Sequence, residues 1–363
     1  MKEFQINTEK DFLRKRLGHM TQLCGVKRYR LSEGRADGVD AVDVKTGTGL
    51  NYTVLPGRGM DIAWTEYKGV PISYMSNTGV NHSSRYDPNG MEWLSNFFAG
   101  LLTTCGFSNV GGPCENVHPV IGKRTLGLHG KLTNIPASQV STFEGWEGDK
   151  YVMSVSGKMR ESCLHGENIT LRRTIKSILG ENKIILHDYI ENESNRVQPC
   201  MLLYHMNLGY PVLSENSRLV IASDTEKMRF ASDTAQKEKD IYSVFNEPIN
   251  GYAERCYFHQ VKTDKDGNTY VMVVNDELDL AVVFTYKPEQ LSCLTEWKML
   301  NEGEYVLGIE PGTANPIGRE KTEKEGKLKT LDIGETHQVD ITIEIVDGKE
   351  NIEKIEMQIK DIK

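Results

Sequence analysis

The sequence predicts an all-β protein: a large antiparallel β-sandwich with few, short helices. Three observations lead there. Apolar and polar residues alternate with a period of two in stretch after stretch. Short Gly-, Asn- or Asp-containing turns separate these stretches, and only two segments carry a clear helical spacing. Runs of strands at hairpin spacing, without interleaved helices, bury their apolar faces by packing sheet on sheet. No Pro/Ser-rich break divides the chain, so a single domain over residues 1–363 is expected.

Taken in order, the chain opens with a short helix in which Thr8 can cap, Asp11 sits three residues on, and Phe12, Leu13 and Leu17 share a face. Val39–Val44 and Asn51–Leu55 alternate around Thr46-Gly47-Thr48-Gly49, a hairpin by composition. Asp61–Trp64 and Val70–Tyr74 flank Tyr67-Lys68-Gly69, and between the two pairs the loop Pro56-Gly57-Arg58-Gly59 projects an arginine. Met91–Leu102 carries the strongest helical signal, with Trp93, Leu94, Phe97, Phe98, Leu101 and Leu102 forming an amphipathic stripe. The glycine-rich Gly111–Asn116 lacks the Gly-Lys-Ser/Thr of a phosphate loop and reads as a structural or substrate-facing loop. From residue 150 strands dominate: Tyr151–Gly157, Asn168–Ser177, Ile184–Ile190, Val197–Asn207, Tyr270–Asn275, Leu280–Tyr286, Glu304–Glu310 and Gln338–Val346. Residues 215–255 are polar and irregular with room for a short helix, and Glu320–Lys329 reads as a solvated loop.

A formal net charge of −8 argues against nucleic acid or an anionic membrane as partner. The first seven residues contain no apolar leader, and no apolar run approaches the ~20 residues that span a bilayer. Seven scattered cysteines without a Cys-x-x-Cys pair fit reduced thiols, so a cytoplasmic location is expected.

Three residues stand where a sheet ends or turns. His205 lies in Leu-Tyr-His-Met-Asn-Leu-Gly-Tyr-Pro, His129 in Gly-Leu-His-Gly, and Glu310 in Leu-Gly-Ile-Glu-Pro-Gly. Each alone also fits a structural role: a histidine satisfied in the core, a histidine in a turn, a carboxylate at the solvent edge. Taken together and in this order, the three motifs resemble those of the aldose 1-epimerases, the galactose mutarotase-like superfamily. The resemblance extends from about Leu50 to Val346 and includes Ile184–Asn192 and Leu331–Thr336. It departs where the family has a Gly-Arg-x-Ala-Asn-Arg-Ile-like stretch; Thr104–Gly112 stands there instead, without the arginine.

The resemblance implies a galactose mutarotase-like supersandwich and a cofactor-independent enzyme that interconverts sugar anomers. Glu310 would be the general base, His205 the general acid, and His129 a hydrogen-bonding partner on the ring side. Carboxylate and imidazole suit such exchange, with ordinary pKa values of about 4.3 and 6.5 that a pocket can draw toward neutrality. Further binding candidates are Arg58, in place of the missing arginine, Asn207, Asn315, Trp297 as a stacking face, and Lys298. Each has an ordinary alternative: a surface ion pair for Arg58, turn positions for the asparagines, a core aromatic for Trp297, an exposed lysine for Lys298. Arg58, Arg85 and Lys298 leave room for an acidic sugar. The expected partner is a small carbohydrate and the expected assembly a monomer or homodimer, with no metal and no organic cofactor. Two other readings stand beside this one: a non-catalytic sugar-binding protein, and a cupin-like metal isomerase using His118, His129, His205 and Glu310.

Overall fold

A computed structural model of the chain describes residues 6–362; the first five residues, part of the leader reading above, and Lys363 lie outside them. Three main antiparallel sheets are present. Gly25–Arg30, Asp40–Lys45, Leu50–Leu55, Asp61–Tyr67 and Val70–Pro71 form a five-stranded meander. An eight-stranded sheet runs in the order Ser217–Ile221, Thr269–Asn275, Leu280–Tyr286, Thr336–Asp347, Lys183–Asn192, Asn168–Ile178, Lys150–Ser162, Ser138–Glu147. A six-stranded sheet runs Arg229–Phe230, Arg255–His259, Cys293–Asn301, Glu304–Gly312, Met201–Gly209, Thr103–Phe107. One apolar cluster joins all three, with Val44 and Tyr52 from the first sheet, Leu171 and Ile343 from the second, and Leu202 and Ile309 from the third. This is the all-β, antiparallel sandwich that the alternating pattern predicts.

The strand Met201–Gly209 shows how alternation positions the site. Leu202, Tyr204, Met206 and Leu208 enter the main core, while Met201 and Leu203 join a separate cluster with Trp93, Phe97 and Leu128 on the other side. His205 and Asn207 share that second face, because successive side chains of a strand point to opposite sides. Behind them, Tyr204 donates to Asp188 (2.8 Å), which holds Arg173 through two bonds of 2.9 and 2.7 Å. Arg173 also reaches Asp61 (3.2 Å) and the Thr104 hydroxyl (2.9 Å), and all three charged side chains are fully buried.

Several local expectations change. Met91–Leu102 is not a helix: Glu92–Asn96 forms one short 3-10 turn, and Ala99 and Gly100 then take left-handed backbone angles of 64° and 68°. The stripe of large residues serves different cores. Trp93 and Phe97 stack at 4.6 Å beside the site, Phe98 packs with Val39 and Leu55, and Leu101 and Leu102 enter the main core. Leu101 and Leu102 also donate backbone bonds to Ala63 and Ile62, so pairing with a strand outweighs helical spacing. The opening helix, Lys10–Arg14, starts from Glu9 rather than Thr8, with no side-chain cap. Within Glu320–Lys329 the chain forms part of the helix Arg319–Lys324. Cys114–His118 and Gly122–Leu126 pair as a hairpin where a loop was expected. Unanticipated elements include the strands Gly25–Arg30, Thr103–Phe107, Ser138–Glu147, Arg255–His259 and Cys293–Asn301, the strand Ser217–Ile221 within the segment expected to be irregular, and the helix Lys349–Lys360, whose Ile352 and Ile359 cover Met272 and Val283 on the eight-stranded sheet. No helix among the described residues is long and apolar enough to cross a membrane.

Candidate active site

On the face of the six-stranded sheet opposite the main core lies a cavity of about 950 Å³. His129, His205, Glu310 and Trp297 all line it. An open groove of about 1010 Å³ on the five-stranded sheet is slightly larger, but no histidine lines it.

Glu310 and His205 come from neighbouring strands, with Met206 opposite Ile309 in the register. Their side chains meet, His205 Nε2 lying 3.1 Å from Glu310 Oε1, and both are almost fully buried. Burial holds the Glu310 carboxyl well above the usual range, and the charge of Glu254 adds to the effect. Burial pushes the His205 imidazole down to about 3; the neighbouring His129 adds to this and the Asn207 side chain opposes it. Removing charged groups from water favours their neutral forms, which explains both directions. Between these two limits the pair holds a single proton and titrates as a unit.

His129 sits in a turn with a left-handed backbone angle of 55°, unusual for a residue bearing a Cβ. Two backbone bonds of 3.0 Å hold it there, His129 N–H to the Gly111 carbonyl and Gly106 N–H to the His129 carbonyl. Gly111 N–H also points at Nδ1 (3.4 Å), which leaves Nε2 as the donor of the neutral ring. Burial lowers this imidazole to about 4. Aromatic rings pack both histidines: Trp93 lies 4.8 Å from His129 and Phe97 5.1 Å from His205. Trp297 stands edge-on to His205 at 5.2 Å, and its indole N–H donates to Glu254 (2.8 Å).

Gly308 makes this convergence possible. It is opposite Trp297 in the register, and a Cβ there would lie 2.8 Å from Glu310 Oε1 and 3.1 Å from two Trp297 carbons. Gly308→Ala is therefore expected to displace the carboxylate or the indole, lowering kcat/KM for any reaction at this site by roughly tenfold or more while the protein still folds. Steady-state kinetics alongside circular dichroism checks this; unchanged kcat/KM would contradict it.

The other sequence candidates lie elsewhere. Arg58 is fully buried, its guanidinium donating to the carbonyls of Thr133, Asn81 and Asn96. Lys298 points to the opposite face of its strand from Trp297 and donates to the carbonyls of Ile241 and Val244. Both cations satisfy chain turns and neither lines the cavity. Asn207 donates to the Gly100 and His205 carbonyls beneath the site. Asn315 lines a smaller neighbouring cavity. His118 accepts two backbone N–H groups in the Cys114–His118 hairpin and stands apart from His129, His205 and Glu310. Among the described residues no three His, Cys, Asp or Glu side chains are placed to hold a metal ion.

Glu254, Trp93, Phe97 and Gly308 belong to the site without having been singled out in the sequence. Gly308 was readable: two residues before Glu310 in a strand, it shares that residue's face. Glu254 precedes a strand in an irregular segment and carries no comparable signal.

A family model described as a domain of unknown function, DUF4432, matches residues 36–345. Among solved structures, a provisionally assigned aldose 1-epimerase from Klebsiella pneumoniae superposes with a TM-score of 0.84 at 25% identity, over 93% of this chain and 87% of that one. A galactose mutarotase-like protein from Clostridium acetobutylicum gives 0.61 at 15% identity, over 90% and 99% of the two chains. A galactose 1-epimerase from Lactobacillus acidophilus gives 0.57 at 11% identity, over 90% and 100%. No curated protein matches the chain. The chain thus belongs to the DUF4432 family, and its β-sandwich has the galactose mutarotase-like fold.

Proposed function

We propose that the protein is a cofactor-independent aldose 1-epimerase that interconverts the anomers of an uncharged sugar. The observation that carries this reading is the buried Glu310–His205 contact of 3.1 Å, on the wall of a cavity that His129 also lines. The single proton of the pair can sit on either partner, giving carboxyl and imidazole or carboxylate and imidazolium. The second form is competent. Glu310 takes the proton of the anomeric hydroxyl, His205 gives its proton to the ring oxygen, and the bond from C1 to that oxygen breaks to leave an aldehyde. Rotation about C1–C2 presents the other carbonyl face, and the same steps in reverse close the ring. The pair carries one proton before and after opening, so both transfers are complete without any further group. His129 Nε2–H supplies a hydrogen bond to sugar oxygen, and Trp297 offers an aromatic face.

The charged residues lining the cavity are Glu254, Glu304, Glu310, Glu325, Arg229 and Lys321, four acids against two cations. With Arg58 and Lys298 committed to carbonyls, this balance supports a neutral sugar over a uronate or sugar phosphate. The test is exchange NMR on equilibrated aldohexoses: faster anomer exchange than in buffer is expected. Sugar binding without faster exchange would instead identify a binding protein.

The pH profile follows from the shifts. The active form needs one proton on the pair, so the acid limb follows the lowered His205, near 3, and kcat/KM is expected to show no acid fall at pH 5. The alkaline limb follows the raised Glu310. Glu254→Gln removes a negative charge that raises Glu310, so that limb should move to lower pH while the bond from Trp297 is kept. A limb that stays fixed would show that Glu254 does not act through its charge.

A further inference from the structure

Of the three polar groups that meet in the cavity, His129 has the least support from regular structure. Glu310 and His205 stand on paired strands, whereas His129 occupies a turn at a left-handed backbone angle. Gly111 fixes that turn: its carbonyl accepts the His129 N–H (3.0 Å) and its own N–H points at Nδ1 (3.4 Å). Gly111 itself makes one isolated bridge, to Ile317, and a Cβ on it would lie 2.3 Å from the Pro316 carbonyl carbon. It is therefore wedged between His129 and the part of the cavity wall that Pro316 and Ile317 form. One side chain gathers these pieces. Asn109 is fully buried, and its Nδ2 lies 2.8 Å from the Gly127 carbonyl, 3.2 Å from that of Gly111 and 3.1 Å from that of Gly112. Its Oδ1 accepts the Arg319 N–H at 2.8 Å, just past Pro316 and Ile317. A buried amide that donates on one side and accepts on the other fixes the groups it bonds, because each would be left unpaired if it moved away.

We infer that Asn109 is a positioning residue for His129: through Gly127 and Gly111 it aims the imidazole into the cavity and keeps the ring proton on Nε2. The inference rests on the proposed anomer exchange, in which Nε2–H donates to sugar oxygen, and adds a residue that does not itself line the cavity. Without the amide, the Gly111 segment and the Gly127 turn lose their common tie. Gly111 N–H then no longer holds Nδ1 as an acceptor, and the ring is free to carry its proton on either nitrogen.

Exchange NMR on glucose and galactose, with ring-nitrogen NMR of the histidines at pH 7, tests this. Asn109→Ala should lower kcat/KM by roughly 10- to 100-fold, because misplacing a contacting group by about 1 Å can have that effect. Combined with His129→Ala, its loss should not multiply: the double variant should stay within about threefold of His129→Ala alone. Losses that multiply would overturn the inference, because Asn109 would then act on some other group. The parent ring of His129 should carry its proton on Nε2 alone, and Asn109→Ala should give a mixture of both tautomers while His205 keeps its pattern. A parent ring protonated at Nδ1, a variant ring still protonated at Nε2 alone, or equal disturbance of both histidines would overturn it. If Asn109→Ala does not fold, Asn109→Ser, which keeps one donor, carries the same comparisons. If no sugar exchanges faster with the parent protein, the proposed function fails, and the ring spectra still decide whether Asn109 holds His129.

Discussion

Glu310→Gln is expected to lower kcat for anomer exchange by roughly 10²- to 10⁴-fold, the usual worth of a positioned acid or base, and to leave the protein at least as stable as the parent at pH 7. The two halves have one cause. The carboxyl of Glu310 is buried and raised well above its ordinary value, so the folded state holds its proton more tightly than the unfolded chain does. A group of that kind favours folding fully below its unfolded pKa, and the benefit is lost as pH rises through the folded value. At neutral pH part or all of that benefit is gone, whereas a glutamine keeps a hydrogen-bonding group beside His205 and never ionises. Urea unfolding at pH 5 and pH 8, run beside exchange NMR, checks both halves. The stability gain of the variant should be larger at pH 8. A variant that exchanges anomers within tenfold of the parent rate would remove Glu310 from the chemistry.

Arg173→Met is expected to cost about 3–5 kcal/mol of stability, the usual result of leaving a buried charge without its partner. Two carboxylates depend on this guanidinium, Asp188 through two bonds and Asp61 through one, and neither is solvent-accessible. Arg173→Lys should recover only part of the loss, because one ammonium cannot reproduce the planar fork toward Asp188 while also reaching Asp61 and Thr104. Replacing Arg173, Asp188 and Asp61 together with apolar residues of similar volume should cost less than Arg173→Met alone. Denaturant midpoints for the three variants provide the comparison. A loss under about 1 kcal/mol for Arg173→Met would mean that water or rearrangement reaches the carboxylates, contrary to their burial.

What the sequence disclosed depends on how much of each signal was local. Ile184, Leu186 and Ile190 alternate because one face of their strand enters the core, and that face is legible without a structure. Ser138–Glu147 shows no such face: it is the edge strand of its sheet and most of its side chains are exposed. The stripe from Trp93 to Leu102 misleads for the opposite reason. Leu94 stays exposed, the other apolar residues enter three separate cores, and spacing cannot tell one destination from three. The site divides in the same way. His129, His205 and Glu310 sit in motifs whose order carries the family resemblance, and they line one cavity. Arg58 and Lys298 look like ligand-binding cations in sequence, yet their heads bond main-chain carbonyls from residues as far as 75 positions away. No local pattern records such a partner.

The strand Met201–Gly209 has a consequence for how this protein can change. A one-residue slip in its pairing would exchange its faces, putting the Tyr204 phenol into the cavity and the His205 imidazole against Arg173. The buried ions make that slip costly, because Asp188 would lose its phenol partner. The network therefore acts as an index mark for the imidazole, fixing which side chain faces the cavity. Loops around the cavity can be rebuilt while that mark stays in place, which separates the placing of the imidazole from the shape of the cavity around it.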